Sequence, residues 1–442
     1  MKLRLLVVTL IALVAAAVIS APQTRAQGAP TPTAGTKLVG GLLSPRGMKI
    51  GPDGMIYVAE AGTGGDIAAG TGDSASKSGL TGRISKVDPT TGTRTTVADK
   101  LPSNAGSEGD SVGPADVAFI GSQLYYVQTH AGTAYGFPAT TPTGVYKVNS
   151  NGTVTLVADI GAFNIANPVN DIKPGGVQHD IETGGNPYSM TVRDGAFYVV
   201  DGNQNQIMKI TTAGVITRLN EFPGHPVTTG ITYSGTGPFY VAALGQFPFA
   251  PADGKIYKVS NPSGAVSTVA SGFSSLTDAE YGPGGNLYAL QFGDQASDPN
   301  GPPWVIGSGK ILKVDVATGK LTPLVNGFTF TTSLIFSGDT AYVANGGITI
   351  PGLVDGAIWK ITGFSAIAPI TLAPTPAPTT APVAVATATP KGSTGVIAAP
   401  NTGTGGASGG SNDGWLKTML ALSAVGAVAV FAATRMIWKR DE

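Results

Sequence analysis

The sequence predicts an all-β fold, a six-bladed β-propeller, and three observations predict it. A short apolar-Tyr-apolar strand recurs as Ile56-Tyr57-Val58, Tyr125-Tyr126-Val127, Phe197-Tyr198-Val199, Phe239-Tyr240-Val241, Leu287-Tyr288-Ala289 and Ala341-Tyr342-Val343. After each comes a loop and then a strand with a central lysine: Lys86, Lys147, Lys209, Lys258, Lys313 and Lys360. Units of roughly 40–50 residues with about four short strands apiece are the mark of propeller blades. The last unit stops at Ile361-Thr362-Gly363 without an outer strand, while a spare strand, Lys37-Leu38-Val39-Gly40, precedes the first unit. Pairing the two closes the ring and hides the edges that an open sheet leaves unpaired.

The elements follow in chain order. Lys2 and Arg4 precede an apolar run over residues 5–19, and Ala26 ends a small-residue cleavage site, so residues 1–26 read as a secretory signal peptide. The propeller is expected over residues 37–364. Its first blade has an inner strand Gly47-Met48-Lys49-Ile50, a turn Gly51-Pro52-Asp53-Gly54, a second strand over 55–59, a third over 82–87 and an outer strand over 93–98. Blade five repeats the plan, with turns at Gly282-Pro283-Gly284-Gly285 and Asp315-Val316-Ala317-Thr318-Gly319. Residues 365–414, rich in Pro, Thr and Gly, cannot build a core and read as a disordered, extended tether. Residues 415–438 form an apolar run of spanning length, and Lys439-Arg440 fix the tail 439–442 on the cytoplasmic side. The propeller is thereby placed on the extracellular face.

Composition narrows the chemistry. With no cysteine, disulfides, thiolate metal sites and Cys nucleophiles are excluded. The exported region, residues 27–414, carries 20 cations against 25 anions, a balance that argues against nucleic-acid binding. No Gly-x-Ser-x-Gly elbow, His-Glu-x-x-His helix or phosphate loop is present. The six lysines of the third strands belong to the repeat and are expected to snorkel outward.

Loop lengths supply the functional signal. Connections between first and second strands are short, whereas long segments lie between second and third strands (61–81, 129–143, 244–253, 292–308, 346–355) and between blades (101–112, 161–186). In an up-and-down blade these two classes emerge on one face, which marks that face as the working one. Three residues past each repeat tyrosine stand Glu60, Thr129, Asp201, Ala243, Gln291 and Asn345, a polar ring expected at the channel mouth. Asp116, Asp278 and Glu280 lie near the starts of inner strands, and His130, His179, Asp180, Glu182 and His225 lie in or beside the long loops. The ligand-binding candidates are Glu60, Asp116, Asp201, Asp278, Gln291 and Asn345. Glu60, Asp201 and Asp278 are the oxygen donors that a divalent metal such as Ca²⁺ would use. No zinc spacing is present among the three histidines.

Two resemblances rest on particular motifs. Ala399-Pro400-Asn401-Thr402-Gly403, followed by a Gly/Ser spacer, the apolar run and Lys439-Arg440, resembles a sortase cell-wall sorting signal. That resemblance implies cleavage between Thr402 and Gly403, although Ala399 stands where Leu is usual. Separately, Ser44-Pro45-Arg46-Gly47-Met48-Lys49-Ile50-Gly51-Pro52-Asp53-Gly54-Met55-Ile56-Tyr57-Val58, with Thr81-Gly82-Arg83-Ile84 and Gly113-Pro114-Ala115-Asp116-Val117, resembles the ScyD/ScyE family over about residues 38–364. The resemblance implies an exported NHL-like propeller with no established activity. Related gluconolactonase-like propellers hold a divalent metal through a first-blade Glu in a Glu-Gly-Pro element, where this chain has Glu60-Ala61-Gly62.

The readings that follow fall into different classes. One is a monomeric, surface-anchored propeller without a required cofactor, whose long-loop face binds an extracellular protein, glycan or small molecule. The alternative is an extracellular metal-dependent hydrolase of gluconolactonase type. A purely structural envelope component is the third.

Overall fold

The structure, a computed structural model, describes residues 31–69, 76–106, 110–170, 184–246, 249–260, 264–295, 304–349 and 354–371. These residues form a β-propeller of six antiparallel sheets. From the axis outward, blade 1 contains Pro45–Ile50, Ile56–Glu60, Ser76–Val87 and Arg94–Gly106. Blade 2 contains Pro114–Ile120, Gln123–Gln128, Gly144–Val148 and Val154–Asp159. Blade 3 is built from Pro187–Arg193, Ala196–Asp201, Gln206–Thr211 and Ile216–Glu221, and blade 4 from Thr228–Tyr233, Phe239–Ala243, Gly254–Val259 and Val266–Phe273. Blade 5 is Leu276–Tyr281, Leu287–Gln291, Gly309–Val314 and Leu321–Phe328. In blade 6, Ser333–Ser337, Thr340–Asn345 and Gly356–Thr362 are joined by the N-terminal strand Thr36–Leu42. That strand pairs antiparallel with the last one, Thr36 opposite Lys360 and Leu42 opposite Gly356. Each inner strand touches those of both neighbouring blades, blade 6 against blade 1 included, so the ring is closed.

The repeat tyrosines join the blades. Tyr57 meets Phe119 of blade 2 edge-on at 4.9 Å, Tyr125 meets Phe197 at 4.8 Å and Tyr198 meets Phe239 at 4.6 Å. Tyr240 meets Tyr281 at 5.9 Å and Tyr288 meets Phe336 at 5.2 Å. Such pairs add about 0.5–1.5 kcal/mol each beyond the area they bury. Within a blade the tyrosine lies opposite the repeat lysine: Tyr57 opposite Lys86, Tyr198 opposite Lys209, Tyr240 opposite Lys258, Tyr288 opposite Lys313 and Tyr342 opposite Lys360. In blade 2 the residue opposite Lys147 is Tyr125, not Tyr126.

The trimmed face is built from tight turns. Gly54, at φ 76°, donates its N–H to the Gly51 carbonyl at 2.9 Å. Asp53 accepts from the Met55 N–H at 3.2 Å and from the Tyr57 hydroxyl at 3.0 Å, which ties the turn to the repeat tyrosine. Asp88 caps its turn by accepting from Thr90 and Thr91, and Asp315 does the same for Ala317 and Thr318. These bonds hold both carboxyls below their usual range.

On the opposite face, blade 1 departs from the expected plan. Its third and fourth strands continue well beyond the blade, and Ile67–Ala69 and Ser111–Val112 add to their outer ends. The segment expected as a loop, 61–81, is thus partly a raised hairpin. Close glycine contacts allow it: a Cβ on Gly79 would lie 2.7 Å from the Gly65 Cα. Asn104 donates to Ser76 Oγ at 2.8 Å and to Ser78 Oγ at 2.9 Å inside this hairpin. Between blades 2 and 3, helix α1 (Ile160–Ala166) opens with the Asp159 carboxylate accepting from the Ala162 N–H at 2.7 Å.

Candidate functional site

Five of the six inner strands carry a β-bulge at their loop-face end. Register shifts fall between Pro45 and Met48, Pro114 and Asp116, Pro187 and Ser189, Thr228 and Gly230, and Leu276 and Asp278. A bulge re-aims the extra residue and is favoured beside functional sites. The residues displaced here are Arg46 with Gly47, Ala115, Tyr188, Thr229 and Thr277. Gly47, Tyr188, Thr229 and Thr277, with Lys49, Asp116, Asp278 and Thr332, line a cavity of about 10 Å³ on the propeller axis. That volume is near the minimum needed to hold one water.

Below the bulges, Lys49 shares the channel with Asp116, Asp278 and Glu280. Burial alone would depress the Lys49 ammonium, but Asp116, Glu280 and Asp278 outweigh it and lift it above its ordinary value. Burial pushes the Asp278 carboxyl up to about 7, with Lys49 opposing and Glu280 adding to the rise. Asp116 and Glu280 are raised for the same reason, again against the pull of Lys49. All three carboxylates also staple neighbouring blades, Glu280 by accepting from Thr232 Oγ1 of blade 4 at 3.0 Å. Asp116 accepts from Ser189 Oγ and the Met190 N–H of blade 3, both at 2.9 Å, and Asp278 accepts from the Leu334 N–H of blade 6 at 2.8 Å.

At the mouth lies Arg46. Its side chain is 9% exposed, and its guanidinium donates to the Ser111 carbonyl. Tyr188 faces it: burial raises the Tyr188 phenol, and the Arg46 charge and hydrogen bond oppose that rise. A Cβ on Gly347 would stand 3.5 Å from Arg46 Nη1 and 2.2 Å from Thr332 Cγ2, so this glycine gives the guanidinium its place.

The polar ring expected three residues past each tyrosine is differently employed. Register puts Gln128, not Thr129, in the blade 2 position, because Tyr125 is the repeat tyrosine there. Thr129 is buried and donates to Asn186 Oδ1 at 2.9 Å. Glu60 has no exposed surface. It accepts from Arg83 Nε at 2.8 Å, Arg83 Nη2 at 2.6 Å, Ser85 Oγ at 2.5 Å and the Leu43 N–H at 2.6 Å. Asp201, also fully buried, accepts from the backbone of Asn186, Asn203 and Gln204 and from the Asn164 amide. Burial raises the Asp201 carboxyl, and these bonds oppose the rise. Gln291 accepts from the Ser274 N–H at 3.1 Å and Asn345 from the Thr329 N–H at 2.7 Å. The shared motif is clear: in blades 1, 3, 5 and 6 this side chain caps an N–H in the segment leading into its own blade's inner strand. Glu60, Asp201 and Gln291 are buried and Asn345 is partly buried, so the desolvation of these polar groups is compensated inside the blade ends.

The three residues named for a divalent metal are spread over the ring. Glu60, Asp201 and Asp278 belong to blades 1, 3 and 5, and their oxygens are committed to the donors above. Among the described residues no group of three His, Asp or Glu could hold a metal ion. His130 stacks on Tyr135 with ring centroids 4.5 Å apart, and His225 Nδ1 lies 3.3 Å from the Asn205 amide. His179, Asp180 and Glu182 lie outside the described residues, as do Pro400, Asn401, Thr402, Gly403 and the apolar run 415–438. Among the described residues no helix is long and apolar enough to cross a membrane.

No family model matches the chain, and no curated protein matches it. Solved structures do resemble it. The PQQ-bound aldose sugar dehydrogenase of Streptomyces coelicolor is 13% identical, the match covering 76% of this chain and 99% of that one at a TM-score of 0.47. Virginiamycin B lyase of Staphylococcus aureus is 13% identical over 75% of this chain and 98% of that one, at 0.40. A protein of unknown function from Bacteroides thetaiotaomicron is 11% identical over 75% and 72%, at 0.46. Likeness at this distance says nothing about chemistry, and the propeller rests on its own strand pairing.

The sequence missed Lys49, Arg46 and Tyr188 as site residues. One signal was available. Aligning the inner-strand openers Pro45, Pro114, Pro187, Thr228 and Leu276 brings Arg46, Ala115, Tyr188, Thr229 and Thr277 into one column, the column that the bulges turn toward the axis.

Proposed function

We propose that the chain is an exported, surface-anchored propeller that binds an extracellular ligand through its long-loop face, in keeping with the resemblance of its opening motif to the ScyD/ScyE family. The observation that carries this reading is the asymmetry of the two faces. One is closed by short turns of two to six residues, and the other bears the raised blade 1 hairpin and the bulge-lined channel mouth. An apolar cluster of Phe292, Phe330 and Val354, with Trp304 against it, sits among the long loops of blades 5 and 6 and supports them. Rigid scaffolds that display a built-up loop face are a common form of binding module. The signal peptide, the tether and the apolar run 415–438 support surface anchoring, with Thr402 as the residue joined to the envelope.

The test compares the full-length protein with two variants for binding to envelope preparations. In one, residues 64–79 are replaced by a short Gly-Ser turn; in the other, Asp53→Ala and Asp315→Ala alter the trimmed face. Loss of binding in the first alone is expected. Equal binding by all three proteins would overturn the assignment of the face. Anchoring is read separately from the mature C-terminus: a chain ending at Thr402 and resistant to detergent supports sortase attachment, and an intact Glu442 in the detergent extract supports a membrane anchor.

A further inference from the structure

Arg46 is a buried cation with no acid to balance it. Among the described residues no carboxylate lies within 4 Å of its guanidinium, and its neighbours are the Ser111 carbonyl and the Tyr188 phenol. A guanidinium has five N–H donors in a planar fork. Buried charges are ordinarily paired, and the Arg46 donors that neither the Ser111 carbonyl nor the Tyr188 phenol takes up remain open to an incoming acceptor at the mouth. The position is specific as well. Arg46 occupies the first bulge, at the loop-face end of the channel, and Tyr188 and Thr332 beside it line the axial cavity.

We propose that Arg46 and Tyr188 form the receptor for a carboxylate group of the ligand that this face binds. The inference rests on the binding-face reading and names the chemistry that the face selects. A carboxylate satisfies the fork bidentately, and the Tyr188 hydroxyl can donate to the same group. The axial cavity beside Tyr188 has space for about one water, which favours a compact planar carboxylate over a bulkier anion. Free organic acids and acidic sugars share this chemistry.

The experiment uses the full-length protein in detergent and follows its melting temperature at constant ionic strength. Acetate, galacturonate, galactose and inorganic phosphate are titrated in turn. Acetate and galacturonate should raise Tm in a saturable manner, as a ligand of the native state must. A stronger response to galacturonate assigns the site to an acidic sugar, and an equal one to a free acid. Galactose should have no effect. Arg46→Gln should abolish both responses without lowering the ligand-free Tm, because it removes an uncompensated charge. Tyr188→Phe should weaken them. If Arg46→Gln does not fold, Arg46→Lys decides, since it keeps the charge, loses the fork and should bind about tenfold or more weakly. The inference is overturned if neither carboxylate shifts Tm, if phosphate alone does, or if the Arg46 variants respond like wild type. A failure here is separable from failure of the binding face. Envelope binding that survives Arg46→Gln but not replacement of residues 64–79 removes only the carboxylate receptor.

Discussion

Replacing Glu60 distinguishes a fastener from a ligand. In Glu60→Ala the carboxylate that receives Arg83, Ser85 and the Leu43 N–H disappears from a site without solvent exposure. Removing one partner of a buried ion pair costs about 3–5 kcal/mol, because the other charge is left unpaired. The Arg83 side chain is 19% exposed and can regain some hydration, which places the cost at the low end, about 3 kcal/mol. For a domain of roughly 330 residues the unfolding entropy is about 0.7 kcal/mol per kelvin, so Tm should fall by about 4 °C. Glu60→Gln keeps the volume and one acceptor oxygen and should fall less. Differential scanning calorimetry of the two variants beside wild type reads the difference. An unchanged Tm in Glu60→Ala, together with a lost response to Ca²⁺, would show that Glu60 is a metal ligand after all.

Other outcomes follow from the same geometry. Gly47→Ala places a Cβ 2.0 Å from Asp116 Oδ1, so it should force blades 1 and 2 apart and lower both Tm and soluble yield. The Asp278 carboxyl is raised to about 7 in the folded chain and lies near 3.9 when unfolded, so the native state holds the extra proton between these values. Stability should therefore decline as pH rises from about 4 through 7, by at most about 1.4 kcal/mol per pH unit for that one proton, and Asp278→Asn should flatten the profile in urea titrations. Deleting residues 31–42 removes the strand that covers Gly356–Thr362 and the buried Leu42, so a fall of several kcal/mol and concentration-dependent association are expected; an unchanged Tm would refute ring closure.

The repeat was legible because its tyrosines and lysines serve packing that recurs identically in each blade. The closing strand was legible from a missing partner at the other end of the chain. Blade 2 was misread by one residue because Tyr125 and Tyr126 are adjacent, and a slip of one moves a side chain to the other face. The raised hairpin was hidden in a Gly/Ser/Thr stretch without apolar alternation, since its strands are held by glycine contacts and by Asn104. Glu60 and Asp201 showed their polarity in the sequence but not their partners, several of which lie 15 to 37 residues away. The bulges that bring Arg46 and Tyr188 to the axis leave no mark in a single strand. They emerge only when five inner strands are compared by register.

The most direct measurement of the central claim is amide hydrogen exchange on the full-length protein, free and bound to its envelope. The account predicts new protection on the loop face, at residues 61–69, 101–106, 110–112 and 129–143. Unchanged exchange is expected at the opposite turns, residues 51–54, 88–92 and 315–319. Protection confined to those turns would contradict it.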